Sequence, residues 1–197
     1  MRKHDMRIVA GRHRGRRLAA PEGLAVRPTA DRTREAVFNI LTQGKLPWRK
    51  QAPTGESLTG IGVLDAFAGT GALGLEALSR GAERITFMES QAAALEACRE
   101  NIDALGEAEH CAILQCDVLR PPPAPAPCDL ILMDPPYNQD LAGPGLAALA
   151  RTGWLAPESL AVIELMVGEP FEAPDGFEVV DERRYGKARV VFLTTRS

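Results

Sequence analysis

The chain has no C-x-x-C pair, and none of its three histidines stands at metal-ligand spacing from Cys98, Cys111, Cys116 or Cys128. That absence argues against a zinc site and predicts reduced thiols, mostly in the core. No apolar stretch approaches the length of a membrane span. The charged start, Met1-Arg2-Lys3-His4-Asp5, lacks the apolar segment that a secretory leader requires. A cytoplasmic protein with no metal and no membrane contact is expected. There are no internal repeats. The Pro/Ala stretch 121–127 is the one low-complexity patch, and it reads as a surface loop. Aromatic residues make up only 5% of the chain, so a ring beside a charged motif is informative. What is present is ordinary for a globular domain: 45% hydrophobic and 25% charged residues in a chain of 197. That length buries a full core without staples, and one domain with a small appendage is the simplest organisation.

The formal net charge of −3 hides an asymmetry. Residues 1–34 hold ten Lys/Arg against Asp5, Glu22 and Asp31, a balance of +7 that leaves −10 on the remainder. A basic arm on an acidic body suits contact with nucleic acid. A solvated charged hairpin is the plainer alternative.

The apolar pattern divides the chain. Two β-like runs, 7–11 and 16–19, flank a polar turn and suggest a hairpin. A helix is predicted from about Asp31, with Val37, Phe38, Ile40 and Leu41 on its apolar face and Thr29 or Asp31 as its cap. Residues 1–42 thus form a basic hairpin-and-helix extension, 43–60 a connector, and 61–197 the main domain. In that domain strands are predicted at 62–65, 84–88, 112–115, 128–133 and 159–165. Helices are predicted at 72–80, 91–105 and about 140–150. Residues 178–181 and 189–195 could close the fold as a hairpin. Strand–helix alternation predicts an α/β, doubly wound, mostly parallel sheet.

Two motifs carry chemistry. Gly69-Thr70-Gly71-Ala72-Leu73-Gly74 is a G-x-G-x-x-G turn between a predicted strand and helix, as nucleoside cofactors require. Glu89 ends the next strand, where a carboxylate can accept ribose hydroxyls. Asp65 ends the strand before the turn. A carboxylate there does not suit a pyrophosphate but suits the ammonium and sulfonium of S-adenosylmethionine (SAM). Asp117 could accept from the adenine amino group, or simply form a turn. The second motif, Asp134-Pro135-Pro136-Tyr137, follows the apolar strand 128–133. It places an acceptor, a stiff turn and a ring at a strand's carboxyl end, where open α/β sheets bind ligands. An exocyclic base amine is a poor nucleophile. Hydrogen bonds from it to Asp134 and to the Pro135 carbonyl would aim its lone pair at a methyl donor, with Tyr137 stacked on the base.

At Asp65-Ala66-Phe67-Ala68-Gly69-Thr70-Gly71 the chain resembles class I SAM-dependent methyltransferases. The resemblance implies a Rossmann-like seven-stranded sheet with its last strand antiparallel, and adds Phe67 to the cofactor site. Asp134 to Tyr137 resembles the fourth motif of amino-methyltransferases. The blocks 6–18 and 27–39, with 71–82, resemble RsmD-type bacterial 16S rRNA guanine-N2 methyltransferases, and residues 1–5 look like an extension before the usual start. The implied substrate is one guanine N2 in 16S rRNA, within an assembled or assembling 30S subunit, methylated by a monomer. Arg12, Arg14, Arg16 and Arg17 would meet phosphates. Arg32 and Arg34 on the helix would border the active site and contact RNA, with Asn39 toward the cofactor pocket. The rivals are a DNA adenine-N6 or cytosine-N4 methyltransferase, a nicotinamide oxidoreductase carried by the glycine motif, and a non-catalytic RNA-binding assembly factor.

Overall fold

Strand and helix alternate from Gly62 to Met166, as the apolar pattern predicts, except that the strands Cys111–Gln115 and Cys128–Met133 are joined by a loop without a helix. The computed structural model describes residues 6–20, 30–42, 46, 48 and 58–196. The elements are α1 (Ala30–Thr42), β1 (Gly62–Ala66), α2 (Ala72–Ser79), β2 (Arg84–Glu89), α3 (Ala92–Leu105), β3 (Cys111–Gln115), β4 (Cys128–Met133), α4 (Ala142–Arg151), β5 (Leu155–Met166), β6 (Phe177–Tyr185) and β7 (Ala188–Thr195). The seven strands form one sheet in the order β3-β2-β1-β4-β5-β7-β6. β1 to β5 pair in parallel, and β7 runs antiparallel to both β5 and β6. The closing hairpin is longer than its apolar pattern suggests, because β6 continues through the charged residues 181–184 at the sheet's edge. Such charge on an edge strand discourages pairing with another chain. The connector predicted at 43–60 and the cap at Thr29 fall largely or wholly outside the described residues.

Parallel strands must be covered on both faces, which is why β1 is buried at every position. On one face Val63, Phe87 and Leu132 pack with α1, α2, α3 and the N-terminal arm. On the other Leu64, Ile131 and Ile163 pack with Leu146 and Leu149 of α4 and with Trp154. Trp154 is fully buried, and its indole N–H donates to the Pro122 carbonyl at 2.8 Å, which pins the Pro/Ala loop to the core.

The arm is a small hairpin. Arg7 and Arg17 form an antiparallel bridge, and Ile8 N donates to Arg16 O at 2.9 Å. Met6, Ile8 and Leu18 sit in the same core as the sheet. One carboxylate anchors the whole extension. Glu76 on α2 is fully buried and accepts from Val9 N at 2.7 Å, Ala10 N at 3.0 Å and Arg80 Nε at 2.8 Å. Gly11 then passes so close to the end of α2 that a Cβ there would lie 1.9 Å from the Ser79 carbonyl oxygen.

Arg34 departs from expectation. It is 4% exposed and faces inward, donating to Arg7 O at 2.6 Å and to Asp31 at 2.9 Å, with its Nε 3.7 Å from Glu76. Helical spacing explains this, because Arg34 shares a face with Val37, Phe38 and Leu41, all buried. It joins α1 to the arm and is removed from the set of phosphate contacts. Arg32 lies on the exposed face.

Glu76→Ala would leave the buried Arg80 guanidinium without its carboxylate, Arg34 with the Asp31 carboxylate alone, and two arm N–H groups unpaired. Breaking such a buried pair costs about 3–5 kcal/mol. For a chain of this size the melting temperature should fall by roughly 10 °C. Thermal unfolding checks this, and a drop under about 2 °C would contradict the anchoring role.

Candidate active site

The site is built where β1 leaves the sheet. Ala66 pairs with Met88 of β2 on one side and Met133 of β4 on the other. The following turn therefore emerges between Glu89 and Asp134, at the topological switch point of the sheet. Phe67 begins the turn with φ 61°, a left-handed conformation that costs a residue with a Cβ about 1–2 kcal/mol. Its ring, packed against the α4-side core, offsets that cost.

The glycines of the turn have separate reasons. Gly71 has φ 81°, and a Cβ there would lie 2.7 Å from Cys98 Sγ. A Cβ on Gly74 would lie 2.5 Å from the Phe87 ring, so only glycine lets α2 settle onto β2. At Gly69 an added Cβ would meet nothing within 4 Å, which leaves the ligand side of the turn open.

Two carboxylates, Asp65 and Glu89, hold this turn, and a third, Asp117, follows β3 two strands away. Asp65 is 1% exposed, and its Oδ2 accepts the Gly74 N–H at 2.7 Å. It thus supplies, from β1, the cap that α2 lacks in its own sequence. The sequence reading aimed this carboxylate at the cofactor, whereas its observed bond is to the helix. Burial pushes its pKa well above the ordinary carboxylate range. The Gly74 bond opposes that shift, and the charges of Asp134 and Glu89 add to it. Glu89 is 9% exposed; Oε2 accepts Gly69 N at 3.1 Å, and Oε1 accepts Ser90 N at 2.8 Å and Gln91 N at 2.9 Å. One lone pair of Oε2 remains for a ligand hydroxyl. Asp117 is exposed and closes a turn through Oδ1, which accepts Leu119 N at 2.9 Å. Its second oxygen lies outside that turn bond.

The second loop leaves β4 beside the first. Asp134 is exposed, Pro135 buried and Tyr137 half-buried. Tyr137 donates its hydroxyl proton to Glu164 Oε1 at 2.7 Å. Asn138 adopts φ 57°, and its N–H donates to Glu169 Oε1 at 2.9 Å, while Glu169 Oε2 accepts Met166 N at 3.1 Å. The loop is therefore tied to the end of β5 by two carboxylates.

A family model described as "Conserved hypothetical protein 95" matches residues 6–194. Ribosomal RNA small subunit methyltransferase D of Haemophilus influenzae is 32% identical over 188 residues, covering 93% of this chain and 91% of that protein. The protein of the same name from Escherichia coli strain K12 is 34% identical over 161 residues, covering 81% and 74%. Among solved structures, yhhF from Escherichia coli, assigned as a methyltransferase, superposes with a TM-score of 0.78 at 30% identity over 98% of both chains. The chain belongs to this RsmD family of methyltransferases.

In this methyltransferase the arm arginines lie over α2 and α3. Arg12, Arg14, Arg16 and Arg17 are exposed. Arg12 pairs with Glu107 at 2.8 Å, and Arg16 Nη2 donates to the Ala104 carbonyl. Asn39 is exposed on α1, with Oδ1 3.4 Å from Arg80 Nη1. His13, given no role from sequence, hydrogen-bonds Glu107 through Nε2, and its N–H donates to Ser79 Oγ at 3.0 Å. Asn101 was also missed. It is 2% exposed, accepts Ala19 N at 2.6 Å and donates to Thr70 O at 3.0 Å, linking the arm to the cofactor turn. Glu76, Glu164 and Glu169 escaped the motif search too. Their signal is a lone carboxylate within an apolar run, the mark of a buried polar group with partners.

Among the described residues there is no group of three or more His, Cys, Asp or Glu able to hold a metal. No helix among them is long and apolar enough to cross a membrane. The four cysteines are free thiols, and burial pushes that of Cys111 up to about 12.

An acid whose folded-state pKa is raised costs stability wherever the unfolded chain has already lost its proton. For Asp65 the cost is absent below the unfolded value near 3.8, grows as pH rises above it, and levels off past the folded-state pKa. Asp65→Asn keeps a carbonyl oxygen for the Gly74 N–H. The variant should gain stability over the parent as pH rises from about 4, and lose that gain in acid. Denaturation at a series of pH values checks this. A difference that does not change with pH would contradict the raised pKa.

Proposed function

We propose that this methyltransferase moves the methyl group of SAM to the exocyclic N2 of one guanine in 16S rRNA, on an assembled or assembling small subunit in the cytoplasm. The observation that carries the reading is the convergence of both motifs on one residue. Glu89 with Gly69 and Asp134 with Tyr137 flank Phe67 from opposite sides. The relatives' names supply the class of substrate.

The residues present fit the donor. Gly69 leaves the turn open to a close ligand, and Glu89 retains acceptor capacity for ribose hydroxyls. The negative charges of Asp134 and Glu89 each act on Asp65, adding to the effect of its burial. A ligand bearing an ammonium and a sulfonium relieves that repulsion, whereas a dinucleotide pyrophosphate would add to it. This charge balance disfavours the oxidoreductase reading. Asp117 would accept from the adenine amine through its free oxygen.

SAM supplies an electrophilic methyl on a sulfonium. The protein's part is orientation and charge. Asp134 and the Pro135 carbonyl accept the two N–H bonds of the base amine, which localises its lone pair toward the methyl. Tyr137 stacks on the base, worth roughly 1–3 kcal/mol. With SAM bound, the amine nitrogen would take the methyl as its bond to sulfur breaks and sulfur keeps the electron pair, and the surplus proton would leave nitrogen for water or Asp134. Exposed Arg14, Arg17 and Arg32, with Arg12 and Arg16, present positive charge for phosphates, so binding should weaken steeply with salt.

Incubation with methyl-labelled SAM and either 16S rRNA, 30S particles or duplex DNA tests the reading. Label should enter rRNA or 30S particles as N2-methylguanine at one position. Label in DNA alone, or in no nucleic acid, would contradict it. At saturating SAM, Asp134→Ala should lower the methylation rate at least about tenfold, or 1.4 kcal/mol of barrier, while RNA binding is kept. Near-normal turnover would remove Asp134 from the mechanism.

A further inference from the structure

We propose that Glu164 is the residue that selects guanine, accepting the base's N1–H while Asp134 and Pro135 hold its N2 amine. The inference rests on the guanine-N2 reading and names how that site tells guanine from other amino-bearing bases.

Register places the two acids side by side. β4 and β5 run parallel with Met133 opposite Ile163. Asp134 follows Met133 where β4 leaves the sheet, and Glu164 follows Ile163 within β5, so the two acids stand at neighbouring strands on the carboxyl edge of the sheet. Side-chain alternation along β5 assigns Glu164 to one face of the sheet. Leu130, Leu132, Leu160 and Val162 belong to the core shared with α1 and the arm, whereas Ile131, Met133, Ala161, Ile163 and Leu165 belong to the other. Glu164 continues the first series within β5, toward the face covered by the basic arm.

Glu164 is also held in place. Tyr137 donates to its Oε1 at 2.7 Å. Glu169 fastens the same loop to β5 through Asn138 N and Met166 N. Among the described residues no hydrogen bond reaches Glu164 Oε2. A half-buried carboxylate fixed by the ring that stacks on the base, with one oxygen still able to accept, is suited to reading that base's edge.

Chemistry then chooses the base. Guanine presents N1–H and the N2 amine as adjacent donors. Adenine and cytosine place a bare ring nitrogen, an acceptor, beside their amino group. Two adjacent carboxylates match a row of donors and oppose an acceptor, and sites built to bond an N–H reject analogues that lack it.

The test replaces the methylated guanine in the RNA or 30S substrate with 2-aminopurine, which keeps the N2 amine and turns N1 from donor to acceptor. The wild-type enzyme should prefer guanine by at least about tenfold in kcat/KM. Glu164→Gln keeps an acceptor for Tyr137 and offers an amide N–H to the bare N1. It should lower that preference at least about tenfold, with SAM affinity unchanged. A merely structural role would change both substrates alike and leave their ratio as it was. Equal wild-type use of the two bases, or an unchanged ratio in the variant, would overturn the assignment. The wild-type comparison decides even if the variant does not fold. Failure to methylate the guanine substrate at all would refute the guanine-N2 reading itself, and this proposal with it.

Discussion

Ala66 is paired in parallel with Met88 on one side and Met133 on the other, and the rest of the site depends on that double pairing. Parallel strands of one sheet end on the same edge. The central strand must release its chain between the ends of its neighbours. Whatever follows β1 is therefore confronted with whatever follows β2 and β4. Here those segments are a glycine-rich turn, Glu89, and Asp134 to Tyr137. Backbone pairing between two buried apolar faces positions these segments.

Three carboxylates at one edge carry an electrostatic cost: burial first raises the pKa of Asp65, and the charges of Asp134 and Glu89 add to it. The fold offsets part of it with helix N-termini. Asp65 accepts from the start of α2, and Glu89 accepts from the residues that open α3. The remaining negative field is the property that a doubly cationic methionine moiety would exploit. The arm, meanwhile, is part of the body's own core. Glu76 binds it to α2, Asn101 to α3 and the cofactor turn, and Gly11 rests against the Ser79 carbonyl. The exposed arm arginines thus stand on a platform continuous with the glycine-rich turn.

The main strands and helices were legible because parallel strands are short apolar runs and the helices between them end at Gly81 and Gly106. Both motifs were legible because glycine and proline mark positions where the backbone has special demands. Direction and partner were not. The residue type of Asp65 shows an acid at a strand end, but whether it turns to a ligand or to Gly74 depends on how closely α2 packs, which Gly74 and Phe87 decide. Arg34 looked like one more basic residue of the arm, and helical phase places it inward beside Val37 and Phe38. Glu164 and Glu169 lay outside any motif. They matter only because β5 falls next to β4, a pairing of residues some 30 apart in the chain that local pattern does not encode.

The central claim is that donor and base meet over Phe67, between Gly69 and Asp134. A structure of the full chain with S-adenosylhomocysteine tests it most directly. The account predicts the ribose on Glu89 and the sulfur facing Asp134 and Pro135, with room for a base amine at a near-attack distance of about 3–3.5 Å from the transferred methyl. A ligand bound away from this edge, or with its sulfur turned from Asp134, would contradict it.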